Sequence, residues 1–294
     1  MDRKKMRRNN SVGIKTPFWI AIQGIKKWPA QPRMYVVFLS ICIFLWTQIK
    51  DVRAYAMLRG MGVSCWFFPF LFTSNICMMI LYFGLILVYC NAPFLDQQQL
   101  FVMLRSGRKK WFMGQILYII LTSVIYFAVV AVISMLEFLP YLGFSMEWGD
   151  ILREAVQNPM ATNTYLIASE RILEKYEPVQ AFLTVFLINT GVGILIGLMI
   201  FLINLYKSRT YGSVVAFAVV LVSDLVSLAD GMMINNWMRY ISPTSWTNLT
   251  LYIQQARRFP IGYVFIFLIT TDVVLSVFIM IRAKKYNIES AEEI

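Results

Sequence analysis

The stretch WFMGQILYIILTSVIYFAVVAVISM, Trp111 to Met135, holds no charged residue and no proline over 25 positions. At 1.5 Å per residue, a helix of that length covers roughly 37 Å, more than the hydrocarbon core of a bilayer, about 30 Å thick. Uncharged apolar runs also occur at Met34 to Ile49, Trp66 to Cys90 and Ala181 to Tyr206. Two more, Tyr211 to Leu228 and Ile261 to Ile281, carry one Asp each. Six spans are therefore expected. The composition agrees: 59% of the 294 residues are hydrophobic and 15% are charged, too much apolar surface for one soluble globule to hide. The fold class expected is an all-α integral membrane protein with six transmembrane helices.

Charge follows the alternation of these runs. Residues 1–33, 91–110, 207–210 and the tail from Arg282 hold 18 Lys and Arg against 5 Asp and Glu, whereas the opposite side holds 9 of each, Asp224 and Asp272 falling within spans. Basic residues collect on the cytoplasmic side, so both termini are expected there, in a multi-pass protein of a cell membrane of bacterial plasma-membrane type. The net charge of +11 is then a topology signal, and no nucleic-acid partner is expected. Histidine is absent, which excludes Ser-His and Cys-His nucleophile pairs, HExxH zinc sites and histidine proton relays. Cys42, Cys65, Cys77 and Cys90 have no metal-ligand spacing and read as packing residues. No catalytic residue and no metal site are expected.

Residues 1–33 read as a basic cytoplasmic arm with an interfacial helix. Thr16-Pro17 opens that helix, and Phe18, Ile22 and Ile25 share one stripe. At about ten residues it is too short to cross, so it is expected to lie flat with Trp19 and Trp28 at headgroup depth. No small-residue cleavage site follows Phe18 to Ile25, and the N-terminus is expected to be retained. Residues 34–282 form the transmembrane domain and 283–294 a cytoplasmic tail. No Gly or Pro falls between Met34 and Arg59, so the first helix should continue past Lys50 into water. In the outer segment 137–180, Asp150 can cap a short helix ending at Asn158-Pro159. Thr164 can cap another, with Tyr165, Ile172 and Tyr176 on one stripe before Pro178 stops it. The outer segment 229–259 is aromatic, with Trp237, Tyr240, Trp246 and Tyr252 around Ser242-Pro243, and suits helices dipping into the outer interface.

The loop APFLDQQQLFVMLRSGRKKWFMGQIL, Ala92 to Leu117, carries the most information about function. Asp96 and Gln99 have capping-box spacing, and Ser106-Gly107 ends the helix if Gly107 takes the left-handed conformation. A helix of about nine residues, roughly 14 Å, would be followed by the basic turn Arg108, Lys109, Lys110 and by Trp111 at the interface. A short capped helix between two spans is a rigid handle for a cytosolic partner. No GxxxxGK[ST] phosphate loop occurs in the chain, so it cannot hydrolyse ATP alone.

This order of acidic start, capped helix, Arg-Ser-Gly-Arg turn, aromatic residue and Gly114-Gln115 resembles the first intracellular loop of ABC-2 type transporter permeases. An interfacial helix before the first span, six spans and a Pro-containing outer hairpin before the last are similar to that family's plan over nearly the whole chain. The resemblance implies that the loop holds a cytoplasmic coupling helix docking on separate cytosolic ABC ATPase subunits, through Asp96, Gln99, Leu100, Phe101, Leu104, Arg105 and Arg108. It implies no cofactor in this chain, ATP and Mg bound by the partner subunit, and a second permease copy in a homo- or heterodimer. Asp96-Gln97-Gln98-Gln99 departs from the Glu-rich start of many members, and the long segment after the third span keeps the substrate class from being carried over.

Inside the spans, Asp272 is the costliest residue, since a midspan carboxylate is penalised by about 2.5 to 3.5 kcal/mol on insertion scales. It reads equally as an inter-helix contact beside Thr270 and Thr271 or as part of a translocation path. Asn189 and Asp224 are the other path candidates, Asp224 lying about 20 Å from Tyr211 along its helix and expected to meet outer water. Gly193 and Gly197 form a GxxxG step suited to helix packing. The reading is the membrane-spanning permease of an ATP-driven exporter of a peptide or hydrophobic antibiotic. The alternatives are an ion-coupled carrier using Asp224 and Asp272, or a membrane scaffold subunit.

Overall fold

The computed structural model describes residues 15–94, 97–157, 170–207, 210–229, 236–253 and 259–285. Helix α1 spans Lys15–Lys26, and after a 3-10 turn at Trp28–Ala30 helix α2 runs Pro32–Arg59. Pro32 suits the first helical position because its missing N–H would have no helical acceptor there. The helix passes Lys50 and ends at Gly60, whose φ of 65° lets its N–H close on the carbonyls of Ala56 and Met57.

The run Trp66 to Cys90, expected as a single span, is split. A two-residue strand β1, Val63–Ser64, leads to the short helix α3, Phe68–Leu71, and only after Ser74 does α4 run Asn75–Tyr89. Thr73 Oγ1 donates to the Phe70 carbonyl at 2.7 Å and closes the short turn. The phenylalanines before it turn inward, with Phe67 on Phe138, Phe68 on Phe182 and Phe70 on Trp148. Aromatic burial thus takes residues that hydropathy alone assigns to a helix.

Helix α5, Gln97–Ser106, joins α6, Arg108–Leu136. Gly107 between them has φ 85° and ψ 146°, a glycine conformation outside the left-handed helical region expected for it. Strand β2, Leu142–Gly143, pairs in parallel with β1, Val63 opposite Leu142 and Ser64 opposite Gly143. Helices α7, Asp150–Gln157, and α8, Glu170–Lys175, follow. Asp150 lies in the first turn of α7, and the expected caps Asp96 and Thr164 lie outside the described residues, as do Tyr165, Asn158-Pro159, the arm 1–14 and the tail from 286. The helix before Pro178 ends at Lys175, and Pro178 itself opens α9, Pro178–Asn204, for the reason that Pro32 opens α2. Helix α10, Tyr211–Ala229, precedes three 3-10 turns, Asn236–Ile241, Thr244–Thr247 and Leu249–Tyr252, which replace the α-helices expected to dip into the outer interface. Two serve a buried Trp246, whose indole donates to the Arg239 carbonyl at 2.7 Å and whose carbonyl accepts from the Tyr252 hydroxyl. Helix α11, Ile261–Lys285, completes the chain.

Helices α2, α6, α9 and α11 are long and apolar enough to cross a membrane, and α4 and α10 are shorter apolar helices. The molecule is an all-α, membrane-embedded protein. At one end β1–β2, α7 and α8 form a small tied element. Trp66 donates to the Ser145 carbonyl, Tyr55 to Glu154, Trp148 to the Tyr176 carbonyl and Lys175 to the Tyr252 carbonyl. At the other end α1 lies against the first half of α6. Gly24 faces the Tyr118 ring, and Gly114 faces Ile20. Trp19 is exposed, while Trp28 is half-buried and donates to the Tyr118 hydroxyl at 3.0 Å.

Helix α9 is the centre of the bundle, packed on α4, α6, α10 and α11. Its glycine step meets Phe127 and Leu85 at Gly193, and Ile119 and Tyr89 at Gly197, where an added Cβ would lie 2.6 Å from Ile119. Gly197→Leu should therefore destabilise the protein by about 1–3 kcal/mol through overpacking. The same change at Gly262, with open space around it, should leave stability nearly unaltered. Thermal melting of the two purified variants in one detergent checks this; equal melting temperatures would contradict the packing.

Candidate functional site

Helix α5 is amphipathic in the literal sense that its two faces meet different surroundings. Gln99 and Met103, four residues apart, are buried. Phe101 and Leu104, three apart on the other side, are 74% and 65% exposed. Arg105, Arg108 and Lys109 are exposed around them. Leu100, expected to stand on the same ridge, is half-buried and packs against the core, so the outward apolar surface consists of Phe101 and Leu104.

What holds α5 differs from expectation. Trp111, expected at the interface, is fully buried, and its indole N–H donates to Gln99 Oε1 at 3.0 Å. The Trp111 ring also meets Phe112 edge-on, and Phe112 in turn packs on Phe201 of α9. Ser106 Oγ donates to the Val102 carbonyl at 2.7 Å, within the last turn. Gln99 and Trp111 thus connect α5 to α6, and Phe112 connects α6 to α9. The link entering α5 is held on the same side: Phe94 packs edge-on against Tyr118, and Asn204 Nδ2 donates to the Ala92 carbonyl at 2.8 Å. Asn204 Oδ1 accepts from the Gly212 N–H at 2.8 Å, so one side chain ties the α5 entry, the end of α9 and the start of α10. Sequence reading missed Asn204; a lone Asn beside a basic loop gives no signal until the chain is folded.

The membrane-depth candidates separate. Asn189 is fully buried, accepting from the Tyr82 hydroxyl at 2.8 Å and donating to the Val185 carbonyl at 2.8 Å. Asp224, expected in outer water, is half-buried with Oδ1 enclosed and without a hydrogen-bond partner. Its neighbour Ser223 accepts through its carbonyl from Ser242 Oγ, so the 236–253 segment covers this part of α10. Asp272 is half-buried at a cavity of about 620 Å³ beside α6, α9 and α11, again with Oδ1 lacking a partner. Thr270 donates to its own helix at Ile266 and Phe267. Among the described residues no three His, Cys, Asp or Glu side chains gather as a metal site.

The fold and these sites define a membrane-embedded helical bundle that presents one short, anchored helix at its basic end. No protein-family model, curated protein or solved structure matches the chain.

Trp111→Phe keeps an aromatic ring in the core but removes the donor to Gln99, at a net cost of about 0.5–1.5 kcal/mol for such a bond. Amide hydrogen exchange across residues 97–106 should speed up while exchange in α9 stays slow. Unchanged protection of 97–106 would show that this bond does not fasten α5.

Proposed function

We propose that the chain is the permease of an ATP-driven ABC exporter, with six spans, both termini cytoplasmic and α5 as the coupling helix. The observation that carries this reading is the pairing of an outward apolar ridge, Phe101 and Leu104, with an inward anchor, Gln99 to Trp111. A flexible loop loses applied force in its own motion; a helix bonded to the next span passes it on. Two exposed apolar side chains ringed by Arg105, Arg108 and Lys109 suit a cleft that buries the centre and leaves charge at the rim.

In this reading two cytosolic ATPase subunits bind ATP and Mg, and their closure drives α5 against α6. A second permease copy completes the translocation path. α4 and α10 cross as the second and fifth spans, their shorter lengths made up by α3 before α4 and by the 3-10 turns after α10. Unpartnered carboxylate oxygens at Asp224 and Asp272 favour an ion-coupled carrier as the second reading.

Phe101→Asp with Leu104→Asp should cut co-purification of the partner ATPase at least about a hundredfold, since burying each apolar side chain contributes about 1.5–3 kcal/mol. The bundle should still fold, because both positions face outward. Normal co-purification and normal cargo-stimulated ATP hydrolysis would overturn the assignment and favour the carrier. The orientation has its own test in a Cys-free background. Met146→Cys, exposed at the end opposite α5, should react with an impermeant thiol reagent in intact cells, and Leu104→Cys only after permeabilisation. The reverse pattern would invert the topology.

A further inference from the structure

The cavity beside Asp272 presents an unresolved charge problem that points to a ligand. Its walls are apolar, made by Ile194 and Leu198 of α9 and Val273, Val277 and Met280 of α11, with Ser276 as the nearest other polar side chain on that face. At about 620 Å³ it falls in the range of small-molecule sites, which are mostly apolar with a few placed polar groups. It opens sideways: Ile269, Val273 and Val277 of its α11 wall are all more than half exposed.

Two lysines also line it, Lys109 of α6 and Lys284 of α11. Lys284 stands twelve residues from Asp272, roughly 18 Å along the helix, and Lys109 opens α6 at the same end. Both are exposed, and a long lysine stem reaches water by itself, so neither requires a ligand. Asp272 has no such escape, because its side chain is short and it sits near the middle of α11. No Lys or Arg among the described residues forms an ion pair with it, and its Oδ1 has no hydrogen-bond partner. Burying a carboxylate without a partner is strongly unfavourable unless it takes up a proton, and ionisable residues in membrane helices mark substrate or ion pathways and counter-ions to ligands.

We infer that this groove binds a hydrophobic amine, its ammonium group held by Asp272 and its apolar body laid along α9 and α11 toward Lys284. The charge fits one cationic group, the walls fit an aliphatic or aromatic body, and the lysines disfavour a second cation at the far end. Entry is lateral, from the bilayer side, past Val273 and Val277. As a binding site the groove stands without the exporter reading; as the place where cargo is recognised it rests on that reading.

The test uses the purified full chain without any ATPase, so its outcome is independent of that reading. Dodecylamine and its neutral counterpart dodecanol are titrated into the protein in detergent, and bound ligand is counted by native mass spectrometry. One dodecylamine per chain is expected, bound at least about tenfold more tightly than dodecanol. Asp272→Asn should remove that preference, while Asp224→Asn should keep it. Val277→Trp, which fills the groove and leaves Asp272 in place, should weaken both ligands. An equal affinity for amine and alcohol, or an amine preference that survives Asp272→Asn, would overturn the site. So would loss of dimers in Asp272→Asn with no change in amine binding, which would give the carboxylate to a second copy of the chain.

Discussion

A side chain one carbon long at Gly197 would lie 2.6 Å from Ile119 and 3.0 Å from Tyr89. This absence of volume lets α4 and α6 close on α9, and the rest of the bundle is arranged around that contact. Apolar side chains gain little by leaving lipid for protein, so helix association in a membrane rests on close packing and on hydrogen bonds. Both occur on the same stretch of α9. Tyr89, which lies on Gly197, donates to the Ile119 carbonyl at 2.9 Å and bonds Ser123 at 2.8 Å, and one and two turns earlier Phe127 fills the space at Gly193 and Tyr82 reaches Asn189. Each tyrosine spans the gap between helices with its ring and ends on a polar atom, which a phenylalanine could not do.

The polar groups of this interior are therefore fasteners. Asn189, Asn204 and Ser123 are each buried and each bonded across helices or to a loop. Asp272 and Asp224 differ from them, each with an oxygen that no described residue satisfies. Other buried side-chain atoms among the described residues also lack a partner, both carboxylate oxygens of Glu137 and the hydroxyls of Thr122 and Thr190 included, and Asp272 is the carboxylate among them that lines the cavity.

Much of the architecture was legible in the sequence because hydropathy reports the bilayer directly. Apolar runs with at most one charge located α2, α6, α9 and α11, and the absence of Gly and Pro before Gly60 extended α2 beyond Lys50. Legibility failed where the apolar signal had two sources. Trp66 to Cys90 is uniformly apolar, yet its first part serves an aromatic cluster and only its second part is α4. Trp111 next to three basic residues looks like an interface anchor, and only the folded chain shows it buried against Gln99. The outward side of α5 was readable in Phe101 and Leu104, whereas its attachment through Gln99 and the Asn204 tie depended on residues 12 and 112 positions away.

Helix α1 has a further mechanical meaning. Its Gly24 takes the ring of Tyr118, its Ile20 sits on Gly114, and Trp28 just after it is bonded to the Tyr118 hydroxyl, so α1 is riveted to α6 within about two turns of Trp111. Phe18 and Trp19 project from the assembly to the outside. Any rotation of α6 sweeps those two side chains through an arc, like an outrigger fixed to a turning mast. The work of turning α6 then includes the work of moving aromatic rings through whatever medium surrounds α1, and the stiffness of that medium becomes a load on the same helix to which α5 is bonded.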